Sequence, residues 1–314
     1  MSVVVSIAAH YVPNRVLYTA RVLDLMEDWP IDDVSVTLVT NDLALADEPV
    51  LRESIEKLKN RGYTVDFDKT YDLAHPFHLT WWHKKHLKNW FEAGGEPDDL
   101  FIYIEDDIGI SRENISYFTD ALPRLKKFGL IPGFMRYERF EGKIMSTDFR
   151  GPDIIEDTRR VTVDGQDYVN PKFPYWAGFV MDRELCAEYL ASPSFLMYEA
   201  AKKPQAERHT CRVLSAWGLT FENVPQHFLS RYVVPVDKLT PDPKCFVWHT
   251  AENYSRSKYL SFGTMELQDV FLAPSLKSSA RYKMWQSKAF LRRVKDKIGR
   301  MSRGEKPQPP NTGL

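Results

Sequence analysis

The chain has 314 residues, 43% hydrophobic and 13% aromatic, with 42 Lys and Arg against 43 Asp and Glu for a formal net charge of -1. That length and apolar share can bury one large α/β core or two modest ones, and the near-neutral balance excludes bulk binding to a nucleic-acid backbone. Cys186, Cys211 and Cys245 are odd in number, far apart and without CxxC spacing, which excludes a disulfide framework and a zinc knuckle and suits a reducing compartment.

Val3-Val4-Val5-Ser6-Ile7 reads as a first strand, followed at once by His10, Asn14 and Arg15 with no basic leader before it, so neither signal peptide nor anchor is expected. No apolar stretch approaches membrane-spanning length. Residues 16–28 place Val22, Leu25 and Met26 on one helical face, 34–39 form a second strand, and 53–60 a helix stopped near Gly62. Residues 63–67 then read as a strand, 79–91 as a helix, and Leu100-Phe101-Ile102-Tyr103-Ile104 as a buried strand. Strands alternating with helices predict a mostly parallel, Rossmann-like sheet flanked by helices.

The rhythm then changes. A helix is expected over 115–127 and a hairpin where Val161-Thr162-Val163 and Tyr168-Val169 flank Asp164-Gly165. This divides residues 1–270 into a nucleotide-binding half, 1–107, and an acceptor half, 108–270, with 271–314 as a tail. In the tail, 277–306 is rich in Lys and Arg, and Tyr282, Trp285, Phe290, Leu291, Val294 and Ile298 recur near helical spacing. A basic amphipathic helix of this kind suits an anionic membrane surface or, equally, packing against the main domain. A cytoplasmic protein, peripheral at the inner face of the cell membrane, is the expectation.

The chemistry concentrates at Glu105-Asp106-Asp107, directly after the buried strand. Ligands in open α/β sheets bind beyond the carboxyl ends of strands, and three adjacent carboxylates repel unless a cation is shared, so a hard divalent metal is the natural partner. A solvated acidic turn is the bland alternative. Alternation along the strand predicts that Glu105 and Asp107 point the same way and Asp106 elsewhere. The chain has neither GxxxxGK[ST] nor GxGxxG, so the metal would carry the phosphates of a ligand.

These residues resemble the DxD motif of GT-A glycosyltransferases, most nearly the exostosin-like branch, in an ExD variant. The resemblance implies a GT-A fold, Mn2+ or else Mg2+, and a nucleoside diphosphate sugar donor, UDP-sugar favoured. Asp107 would take the direct metal contact and Glu105 a ribose or water-mediated role, with Asp106 beside them. Arg15 in Tyr11-Val12-Pro13-Asn14-Arg15 resembles the contact to the nucleotide base, and Gly178 in Trp176-Ala177-Gly178-Phe179 resembles the segment facing the sugars. His249 in Val247-Trp248-His249 resembles the late histidine completing the metal site. The match runs over residues 3–250 and implies sugar transfer to a glycan or glycolipid hydroxyl, in bacterial surface-polysaccharide synthesis.

Further residues could serve such a reaction. Lys84 beside Lys85 could reach a diphosphate or lie on a solvated face. Glu207, read as opening a helix with Val213, Leu214 and Trp217 on its apolar face, could be a general base or a carboxylate favoured by the helix dipole. Arg256 and Lys258 could offset charge on the leaving group. Asp182 reads as a helix N-cap. His75, His78, His83 and His86 do not match a zinc spacing. A metal-dependent nucleotidyltransferase or phosphohydrolase would use the same carboxylates, and a non-catalytic carbohydrate-binding module would use the same aromatics.

Overall fold

The computed structural model describes residues 1–70, 73–149, 151–257 and 262–272. It is a mixed α/β structure. In chain order the elements that position the site are β1 (Val3–Ala9), α1 (Val16–Met26), β2 (Val34–Thr40), α2 (Pro49–Asn60), β3 (Thr64–Lys69), α3 (His83–Glu92), β4 (Leu100–Glu105), β5 (Ile108–Gly109) and α4 (Arg112–Leu125). There follow β6 (Ile131–Pro132), β7 (Met135–Phe140), β8 (Lys143–Ser146), β9 (Arg160–Val163), β10 (Gln166–Val169), β11 (Gly178–Asp182), α5 (Arg183–Ala191), α6 (Met197–Ala200) and α7 (Cys211–Ser215). Last come β12 (Tyr232–Asp237), β13 (Thr240–Pro241) and β14 (Phe246–His249).

The main sheet has the order β11-β4-β1-β2-β3, parallel except for β11, which runs antiparallel to β4. β4 is buried along its whole length, with α3 and α5 packed against it, which accords with a sequence that is continuously apolar rather than alternating. In α1, Val16, Ala20 and Leu23 recur every three to four residues and are buried, and the helix packs against α2 and β5. Gly178 opens β11 opposite Ile104, and a Cβ there would sit 2.5 Å from the Tyr103 carbonyl oxygen and 2.7 Å from the Trp176 ring. Only glycine lets these two strands approach at that point.

Two smaller sheets complete the fold. β9 and β10 form the expected hairpin, with Asp164 and Gly165 at φ 48° and 80°, and join β12 and β13. β5, β14, β7 and β8 form the other, which matters for the site because β5 follows the acidic turn directly. The Asn114 amide, in the capping box that starts α4, donates to the carbonyls of Lys244 and Phe246 at 2.9 Å each, fixing the entry to β14. One hydrophobic core extends from Val3 to Phe271, drawing on residues from both sides of position 107.

Two predicted helices are built otherwise. Residues 79–91 are split into a 3-10 turn, Pro76–Trp81, and α3, because the His75 ring accepts from the Phe77 amide and caps the turn ahead of Pro76. Glu207 does not open the helix bearing Leu214: it lies on a separate 3-10 turn, Pro204–Arg208, and α7 begins after its own cap, where Thr210 accepts from the Val213 amide. Asp182 caps α5 as expected, accepting from the Leu185 amide at 2.9 Å. Among the described residues no helix is long and apolar enough to cross a membrane. The basic amphipathic segment at 277–303 lies outside the described residues.

Candidate active site at the carboxyl end of β4

β4 ends at Glu105, and the chain turns through Asp106 and Asp107 into β5. Each step of the turn is anchored: the Glu105 amide donates to Ala177 O, Asp106 to Ala8 O, and the Asp107 carbonyl accepts from the Thr250 amide at 2.8 Å. Ala177 adopts the left-handed region at φ 63°, a conformation a non-glycine residue holds only where its surroundings enforce it. β5 pairs with β14, setting His249 opposite Ile108 and so beside Asp107. That pairing explains how residues far apart in sequence meet.

Because the strand stops at Glu105, the expected alternation does not hold. Asp106 and Asp107 both face Arg15, whose Nη2 lies 2.6 Å from Asp106 Oδ1 and 3.0 Å from Asp107 Oδ2. Glu105 has other partners, pairing with Arg212 Nη2 at 2.9 Å and accepting from the Tyr175 hydroxyl at 3.1 Å. All three carboxylates are buried, and Asp107 Oδ1 has no hydrogen-bond partner. A buried carboxylate oxygen left without a donor is costly unless a ligand or ion completes it.

His249 stands between two acids. Its Nε2 is 3.4 Å from Asp107 Oδ2, and its Nδ1 is 2.7 Å from Glu138 Oε1. Glu138 is fully buried and also accepts from the Tyr254 amide, the Ser255 amide and the Ser255 hydroxyl. Tyr254 in turn stacks on the imidazole. Burial opposes the charged ring, but Asp107 and Glu138 outweigh it and raise the His249 pKa to about 9. Burial likewise opposes the Asp107 carboxylate, yet His249 and Arg15 hold it well below the usual range. Asp106 moves up to about 6, through burial and the neighbouring Asp107 against the pull of Arg15.

Among the described residues there is no group of three or more His, Cys, Asp or Glu arranged to hold a metal ion. Asp107 and His249 are the residues that could hold a cation here: one Asp107 oxygen is buried without a partner, and the histidine is oriented by Glu138 on its far nitrogen. Both Glu105 oxygens are engaged, one by Arg212 and the other by the Tyr175 hydroxyl.

A cavity of 260 Å³ opens beside the turn. Glu105, Asp106, Arg15 and Arg212 form its charged wall, and Pro76, Phe77 and Leu79 its apolar one. The other anticipated residues lie elsewhere. Lys84 is buried away from it, its Nζ bonded to the Tyr189 hydroxyl and the carbonyls of Ser194 and Phe195, so it is neither a diphosphate contact nor a solvated charge. Gly178 serves strand packing. Glu207 is exposed and is not part of the cavity lining. Arg256 pairs with Glu252 at 2.8 Å with its side chain 62% exposed, and Lys258 lies outside the described residues. His83 stacks on Tyr103, and His86 meets Asp68.

Arg212 and Glu138 were not anticipated. The run Met135 to Phe140 lies in an irregular stretch rich in aromatics and arginines, and Arg212 follows no periodic signal. No protein-family model matches the chain, and no curated protein is similar to it.

Proposed function

We propose that this chain is a GT-A-type glycosyltransferase that moves a sugar from a nucleoside diphosphate donor to a hydroxyl acceptor, with a divalent cation held by Asp107 and His249. The observation that carries the reading is the unpartnered, buried Asp107 Oδ1 at the carboxyl end of β4, with His249 beside it. The order β4-β1-β2-β3 in a parallel sheet supports it, because ligands of such sheets gather where these strands end. When bound, the cation would supply positive charge for the diphosphate and lower the barrier to its departure.

The chain's own residues supply the rest. Arg15 neutralises Asp106 and fixes the turn, the apolar wall at Pro76, Phe77 and Leu79 offers a surface for an uncharged ring, and Glu138 holds His249 in one orientation. In the transfer, the C1–O bond to the β-phosphate breaks with its electron pair going to the phosphate oxygen. The acceptor oxygen forms the new bond to C1, and its proton passes to solvent water. A glycan or glycolipid acceptor at a bacterial surface-polysaccharide assembly site remains the setting we favour.

Thermal melting with a panel of nucleotide sugars, in Mn2+ and in EDTA, tests the reading. Binding at 100 times the dissociation constant raises stability by about 2.7 kcal/mol. The expected result is stabilisation by a nucleoside diphosphate sugar only with Mn2+ or Mg2+. Stabilisation and turnover of nucleoside triphosphates alone would replace transfer with phosphohydrolase or nucleotidyl chemistry, and binding without turnover would leave a carbohydrate-binding module.

A further inference from the structure

We infer that Arg212 is the side chain that grips the diphosphate of the donor and carries the charge of the leaving group, in place of Arg256. The inference rests on the glycosyl-transfer reading above and assigns a contact within it. Two arginines line the cavity, and they are not equivalent. Arg15 directs Nε and Nη2 at Asp106 and shares Nη2 with Asp107, so its fork is used within the turn. Arg212 has an ion pair through Nη2 alone, to Glu105, while its side chain keeps 29% exposure. A guanidinium presents its donors in a planar fork that matches two phosphate oxygens, so the remaining edge is suited to a diphosphate in the cavity.

Its position is fixed before any ligand arrives. Glu105 holds one nitrogen, and the other Glu105 oxygen is held by Tyr175, whose ring lies 4.9 Å from the Arg136 guanidinium. The short helix α7 is tied down where the Trp81 indole donates to the Cys211 carbonyl at 2.7 Å. Trp81 ends the same 3-10 turn whose Pro76, Phe77, Leu79 and Thr80 line the cavity, and α7 packs against that turn, so Arg212 and this part of the lining are one packed unit. A cation pre-positioned where charge develops needs no reorganisation during the reaction. As the C1–O bond breaks and its electron pair settles on the β-phosphate oxygen, Arg212 is the cavity cation with donors to spare. Arg256 has neither a place in the lining nor an unshared position, being paired with Glu252.

Calorimetric titration of inorganic pyrophosphate in the presence of Mn2+ tests this on the full chain. The wild type binds; Arg212→Ala binds about 10- to 100-fold more weakly, the loss expected for hydrogen bonds between charged groups. Arg212→Lys keeps Glu105 paired but lacks the fork and binds about fivefold more weakly, which carries the test if the alanine variant does not fold. Arg256→Ala binds as the wild type does. Wild-type binding that survives Arg212→Ala or, should that variant fail to fold, Arg212→Lys unchanged overturns the inference alone, as does a loss confined to Arg256→Ala. No Mn2+-dependent binding to the wild type overturns the transferase reading and this contact with it.

Discussion

Lys84 and Asp107 are both ionisable and both withdrawn from solvent, at 8% and 4% exposure, but one is surrounded completely and the other is not. The Lys84 ammonium has three oxygen acceptors for its three hydrogens, and Trp81, Tyr189 and Phe195 present ring faces 4.2 to 4.8 Å away. Burial pushes its pKa well below the ordinary lysine value. No partner is missing, so the group serves to lock α3 to the segment after α5. Asp107 has cations on one oxygen and nothing on the other, with a cavity alongside the same turn. A complete set of partners marks a structural charge, and the incomplete set at Asp107 is what the proposed cation site rests on.

The comparison is broken or sharpened by substitution. Lys84→Ala should cost the most, about 3–5 kcal/mol in urea denaturation, because it leaves a cavity and removes the ammonium donor from the Tyr189 hydroxyl and the carbonyls of Ser194 and Phe195. Next comes Glu138→Gln, expected to cost about 2–3 kcal/mol, since an amide cannot accept from every donor now converging on the carboxylate. It should also weaken Mn2+ binding, which a purely structural residue would leave unchanged.

Smaller again is a pH effect in EDTA. The folded-state pKa of His249 is raised from 6.5 to about 9, so its pairing contributes fully below pH 6.5 and is lost as pH rises through 9. Stability should fall across that window, and His249→Gln should flatten the decline. Asp107→Asn is expected to cost clearly less than Lys84→Ala in EDTA, because Arg15 keeps Asp106 and His249 keeps Glu138. It should abolish stabilisation by Mn2+. If Asp107→Asn instead costs as much as Lys84→Ala, the acidic turn is structural and the contrast between the two charges fails.

How much of this could be read from the sequence follows from the range of each interaction. The alternation of β1 to β4 with α1 to α3 was legible because buried strands and amphipathic helices carry their own periodicity. So was the placement of Glu105-Asp106-Asp107 after a buried strand. Glu138 was hidden because its partner is 111 residues away and its neighbours Arg136 and Arg139 suggest a solvated strand. Lys84 next to Lys85 looks like a surface pair, and only tertiary packing separates them, burying the first and leaving the second exposed. Arg212 sits in a five-residue helix, too short for a hydrophobic period to register. The reach of Asp107 toward Arg15 rather than alongside Glu105 depends on where β4 stops, which local propensity does not determine.

Beneath Arg212, Ala206, Leu214 and Trp217 form a small apolar cluster separate from the main core, flanked by Trp81, Val213 and Phe221. These few apolar contacts, with the Trp81 indole bond to the Cys211 carbonyl, are what hold α7 in place. The affinity of any ligand held by Arg212 is therefore scaled by the fraction of molecules in which this cluster is assembled. Evolution can thus tune occupancy of the cavity through residues that never touch the ligand, by changing how often Trp217 and Trp81 are packed together.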